Sequence, residues 1–132
     1  MTINERKAWR YIAARYSMAG MSEDLDRKML HGCLELLVLG ALARQARHGY
    51  AIRRDLADRS DAYFTPAFGR LYPLLADLER RGLVRGRNEK AGESRVIRVY
   101  TLTARGRQEL RFRRTKWKKF SVSVNRVLAR IR

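Results

Sequence analysis

At 132 residues the chain has room for one compact domain and an appendage. Hydrophobic residues at 45% are enough for a core, yet no apolar run approaches the ~20 residues that a membrane span requires. Thirty Lys and Arg against thirteen Asp and Glu leave a net charge of +17, which favours polyanionic partners, nucleic acid first and an anionic membrane surface second.

The single cysteine, Cys33, lies in the apolar run CLELLVLGAL, which excludes a disulfide framework or a thiolate metal cluster and fits a reducing cytosol. His31 and His48 lack the carboxylate or cysteine company of a zinc site or an acid/base pair. No residues support an enzyme, a metal or a cofactor.

Trp9, Ile12, Ala13 and Tyr16 share one face of an amphipathic helix expected over residues 6–19, ending before Gly20. Arg6, Lys7, Arg10 and Arg15 weakly resemble a transit peptide, but Glu5 and the aromatics favour an ordinary helix, and no secretory signal pattern is present. Ser22, followed by Glu23 and Asp24, reads as the start of a second helix. This helix runs through Leu30, Leu34, Leu37, Val38, Ala41 and Leu42; Leu36 and Leu39 make it apolar on more than one side, and Gly40 would admit a close neighbour.

A third helix, about ten residues long, begins at Gly49 with Tyr50, Ala51, Ile52, Leu56 and Ala57 inward and Arg53, Arg54 and Asp58 outward. Thr65 is the expected cap and Pro66 the first turn of the next helix, in which Leu71, Leu74, Leu75 and Leu78 hold an i, i+3, i+4, i+7 stripe before Gly82 ends it. Pro73 removes the bond to the Gly69 carbonyl, costing about 3 kcal/mol in a helix interior. Regular helix therefore either begins near Gly69 or kinks there. In both cases the helix has a glycine-bearing front end whose amides are free to meet phosphate oxygens. LVRGR at 83–87 and RVIRVYTL at 95–102 read as strands joined by NEKAGES.

Thr103 then caps a long final helix. Residues 103–132 carry eleven Lys and Arg and one Glu, a net of +10 out of +17. Leu110, Trp117, Phe120, Val124, Val127 and Ile131 recur along it at alternating sevens, threes and fours, a helical seam that either covers its own domain or pairs with another chain. Arg107, Arg111, Arg114 and Lys118 form a second stripe, either the wet face of that helix or a track beside DNA.

The motifs MLHGCLELLVLGAL, HGYAIRRDL, GRLYPLLADLERRGLV and VYTLTARG, in that order, resemble those of PadR-type transcriptional regulators over residues 29–132. The element order is that of a winged helix-turn-helix. The expected fold is mainly α with a small β-hairpin: an N-terminal helical extension at 1–28, a winged helix-turn-helix at 29–102 and a long C-terminal dimerisation helix at 103–132. Met18, Met21 and Met29 are alternative starts within or just after that extension.

The resemblance implies a homodimeric repressor in the cytoplasm, acting on double-stranded DNA, with Tyr50 and Tyr72 near the DNA face. It also implies a small aromatic or lipophilic effector near the dimer interface, where Trp117 would stack on a planar ligand or pack in the dimer. Two features depart from the family pattern: Arg70 follows the glycine where a small or hydroxyl residue is usual, and the hairpin reads Val96, Ile97, Arg98, Val99 where a basic run is usual.

The expected DNA-binding set is Tyr50, Thr65, Phe68, Gly69, Arg70 and Tyr72 toward the major groove, with Arg85, Arg87, Lys90, Arg95 and Arg98 on the backbone phosphates or simply solvated. A structural RNA-binding or ribosome-associated protein would suit the charge equally well. No membrane partner is expected.

Overall fold

The computed structural model describes residues 19–131. The helix expected over 6–19 falls outside them save for its last residue. α1 (Ala19–Ala41) is already running at Ala19, so Ser22 lies inside the helix and does not start it. Its inner side buries Leu34, Val38, Leu39 and Ala41, and Leu42 follows them into the core. A Cβ on Gly40 would meet nothing within 4 Å: among the described residues, the close neighbour expected there is missing.

The chain turns through 42–46 into β1 (Arg47–His48) and α2 (Gly49–Arg59). Arg47 secures the turn, its Nε donating to the Ala41 carbonyl at 2.9 Å while its guanidinium lies 3.3 Å from Asp55. The carbonyl is one of the orphans at the helix C-terminus. Ile52 and Leu56 are the buried face of α2. Ser60 closes the helix, accepting from the Phe64 amide as it donates to the Leu56 carbonyl.

α3 (Phe68–Arg80) starts two residues later than Thr65 and Pro66 suggested, with Ala67 at the cap position and no side-chain cap. Thr65 is exposed and Pro66 buried in the approach loop. The α3 stripe is the centre of the core: Leu71, Leu75 and Leu78 are fully buried and Leu74 packs beside them. Each such leucine contributes about 1.5–3 kcal/mol by leaving water.

Gly82 (φ +75°) takes the left-handed turn that ends the helix. β2 (Val84–Lys90) and β3 (Val96–Leu102) follow, antiparallel from Val84 opposite Leu102 to Lys90 opposite Val96. Asn88, Glu89 and Lys90 belong to the strand, so the tip is shorter than NEKAGES implied. β1 pairs with the other edge of β3, giving a three-stranded sheet of order β1-β3-β2. α4 (Ala104–Leu128) opens as expected, with Thr103 Oγ accepting from the Gly106 amide at 3.0 Å. Among the described residues, four helices and a small antiparallel sheet make a winged-helix fold with a long C-terminal helix.

Candidate nucleic-acid interface

The front of α3 projects from the leucine stripe. Arg70 and Leu71 both donate to the Ala67 carbonyl, which leaves the amides of Phe68 and Gly69 with no acceptor upstream in the helix. Pro73 is the sixth helical residue, on the exposed side, and its missing N–H forgoes only the bond to Gly69. The helix therefore starts at Phe68, beside Gly69, and not at Pro66. Gly69, Arg70 and Tyr72 are exposed.

Around this tip runs an aromatic row. His48 lies 6.2 Å from Tyr50, Tyr50 stacks on Phe68 at 6.3 Å, and Phe68 on Tyr72 at 5.6 Å. Tyr72 can cross α2 because residue 49 is glycine: a Cβ there would sit 2.6 Å from the Tyr72 ring. Arg53, expected to face outward, instead lies over the Phe68 ring at 5.2 Å and donates to the Pro66 carbonyl at 2.8 Å. Phe68 is thus half-covered from within, while Tyr50 (58% exposed) and Tyr72 (48%) present their rings to solvent.

The hairpin cations fall into two groups. Arg85, Lys90 and Arg95 are exposed and, among the described residues, form no ion pair. Arg87 is paired with Glu89 at 2.5 Å. Arg98 reaches under the ribbon to Glu79 of α3 at 2.6 Å and donates to Asn88 at 3.0 Å. Its hydrogen bond to Glu79 holds the guanidinium above its usual pKa. A Cβ on Gly86 would lie 2.5 Å from the Arg98 Nε, so glycine there leaves space for this brace between wing and α3. Sequence reasoning missed the brace, since Glu79 and Arg98 meet only when the ribbon folds back on the helix.

The seam of α4 divides after its first residue. Leu110 is buried in the core, whereas Trp117, Phe120, Val124 and Val127 are exposed, and Ile131 lies exposed beyond the helix end. Among the described residues, self-coverage accounts for Leu110 alone. Trp117 and Phe120 form a tilted pair at 5.9 Å. Trp117 also borders an open groove of about 640 Å³ between α1, the α2–α3 loop and α4, with Cys33, Leu37, Phe64 and Leu110 on its walls and Arg114 at its edge. Burial pushes the Cys33 thiol pKa up, away from a metal-binding thiolate. Of the basic stripe, Arg107 is tied to the Ala43 carbonyl at 3.1 Å, while Arg111, Arg114 and Lys118 flank Trp117 on a shallower depression.

Among the described residues no group of three His, Cys, Asp or Glu could hold a metal ion, and no helix is long and apolar enough to cross a membrane. Residues 38–112 match the model of the transcriptional regulator PadR-like family. The transcriptional regulator YqjI of Escherichia coli (strain K12) is 32% identical over 80 residues, 61% of this chain and 37% of that protein, so the chain spans little more than a third of its length. A PadR family transcriptional regulator from Eggerthella lenta superposes with a TM-score of 0.70 at 29% identity, covering 91% of this chain and 99% of that one. Bacillus subtilis PadR, solved in complex with operator DNA, superposes with a TM-score of 0.56 at 28% identity over 59% of this chain and 45% of its own.

Proposed function

We propose, from the premise that the chain belongs to the PadR-like family of transcriptional regulators, that it is a sequence-specific DNA-binding repressor in the cytoplasm that acts as a homodimer. Residues 29–102 are the DNA-binding unit, 103–132 the dimerisation helix and 1–28 an extension. The observation that carries this reading is the tip of α3: a leucine-anchored helix whose exposed Gly69, Arg70 and Tyr72 stand beside a ribbon bearing the unpaired Arg85, Lys90 and Arg95.

The tip fits the major groove, where arginine reads guanine through two parallel hydrogen bonds, and the ribbon cations fit backbone phosphates. Thr65 and Phe68 flank the tip, Thr65 able to meet phosphate from the approach loop and Phe68 supporting the two tyrosines. Arg87 and Arg98 already have carboxylate partners, so phosphate contact from them requires exchanging those pairs. The operator complex of Bacillus subtilis PadR, a member of the same family, supports DNA as the ligand class.

The test begins with protection mapping on genomic fragments, where an inverted repeat is expected. Binding that survives DNase and is lost with RNase would instead favour an RNA partner. Arg70→Ala should then weaken operator binding by about 10- to 100-fold while random-duplex binding changes less than about threefold. Equal losses on both duplexes would refute base reading by Arg70.

Release by a small aromatic or lipophilic effector belongs to the same reading, with the groove beside Trp117 as its seat. Such a ligand should quench Trp117 emission once Trp9 is replaced by phenylalanine. Emission unchanged at saturating ligand would leave Trp117 to dimer packing.

A further inference from the structure

α3 packs on α2 and β2, whereas α4 packs on α1 and β3; the β2–β3 ribbon, a common core and Thr103 join these two sets, and any further link between them trims the angle between the tip and the dimer helix. Glu35 of α1 is such a link. One of its carboxylate oxygens, Oε1, accepts from Arg81, which follows the last turn of α3, at 2.6 Å, and lies 3.1 Å from the Arg113 guanidinium of α4. The Glu35 side chain is only 20% exposed, which shields both contacts from solvent.

Each arginine also has a second carboxylate on its own helix: Asp77 lies 3.0 Å from Arg81, and Glu109 2.9 Å from Arg113. The local pairs would outlast the loss of Glu35; the ionic tie through α1 would not. Without that carboxylate, two guanidiniums drawn to one oxygen would face each other as like charges.

We propose that Glu35 is a positioning residue for operator recognition: by holding Arg81 and Arg113 on one oxygen it fixes the angle of α3 to α4, and so the separation of the two tips and the half-site spacing the dimer accepts. This rests on the dimer reading given above. Two half-sites are engaged together only if the protein places both recognition helices one helical turn, or a multiple of it, apart. A looser joint therefore relaxes the spacing preference and leaves the chemistry of each tip alone.

The experiment uses the full chain, the mapped repeat with its spacer lengthened or shortened by one and two base pairs, and a duplex carrying one half-site. For the wild type, each altered spacer should lower affinity about tenfold or more, because simultaneous engagement is lost. Glu35→Gln should bind the single half-site as the wild type does, while its spacing preference flattens to within about threefold. Arg113→Gln cuts only the α4 side of the joint and should flatten the profile in the same way.

A folded, dimeric Glu35→Gln with the wild-type spacing profile overturns the inference. So does loss of half-site binding, which would make Glu35 a support of α3 itself, or failure of both variants to fold, which would make the joint a stability element. A wild-type chain that is monomeric, or that protects no repeat, overturns the dimer reading and this inference together, and is recognised before any variant is made.

Discussion

Gly106→Ala is expected to lower the unfolding temperature by about 6–15 °C, from a loss of about 2–3 kcal/mol in a domain of this size. Gly106 is buried where α4 starts against the end of α3. A Cβ there would fall on the carbonyl oxygen of Leu83, well inside contact distance, and 2.7 Å from a Leu102 methyl. Neither obstacle yields cheaply, because the Leu83 carbonyl is held by the Thr103 amide at 3.1 Å and by the Thr103 hydroxyl at 3.0 Å. The same hydroxyl shares its one proton between this carbonyl and that of Gly82 at 2.7 Å and caps Gly106, so moving α4 outward breaks the cap as well.

On the usual helix scale this substitution would be favourable, since alanine is the better helix former by about 1 kcal/mol. The two arguments predict opposite signs. Thermal denaturation followed by circular dichroism decides between them: an unfolding temperature equal to or above that of the wild type would mean that the close approach at Leu83 relaxes without cost.

Phe120→Asp combined with Val124→Asp is expected to turn a dimer into a monomer at micromolar concentration and to cost at least about a hundredfold in operator affinity. Both side chains are exposed on the outer seam of α4, Phe120 at 62% and Val124 at 37%, so the folded chain loses little beyond the Phe120 ring contact with Trp117. In a dimer closed by that seam they would leave water, contributing about 1.5–3 kcal/mol each, and carboxylates in their place would be buried without partners. Sedimentation or light scattering reads the mass, and a melting curve checks that each protomer stays folded. A double variant that is still dimeric would move the interface off this seam, to another surface such as the N-terminal half of α1, where Leu25 and Met29 are 60% exposed.

Much of the architecture was legible along the chain because it rests on local periodicity and on turn chemistry. The leucine stripe at 71, 74, 75 and 78 placed α3 and its buried face, Gly82 its end, and Thr103 the start of α4. Each of those signals lies within one turn of the element it specifies. The front of α3 was legible less sharply. Thr65 and Pro66 offered a capping pattern, but Arg53 holds the Pro66 carbonyl, the chain stays extended through Ala67, and the helix waits until Phe68.

The leucine core, the wing, the glycine-bearing tip and the concentration of positive charge in the last helix can be read from the chain, because spacing and side-chain type decide these within a few residues. Which charges are free is settled by the folding of distant segments onto one another. Arg70, Arg85, Lys90 and Arg95 make no ion pair among the described residues, whereas Arg98, Arg81 and Arg113 meet carboxylates that lie far away in the chain or on another helix. That folding also decided the strand at Arg47–His48, too short to announce itself and formed only because the edge of β3 has N–H and C=O groups to pair, and among the described residues it left the α4 seam exposed beyond Leu110. Long-range pairing depends on how elements fold back on one another, and no local pattern encodes that.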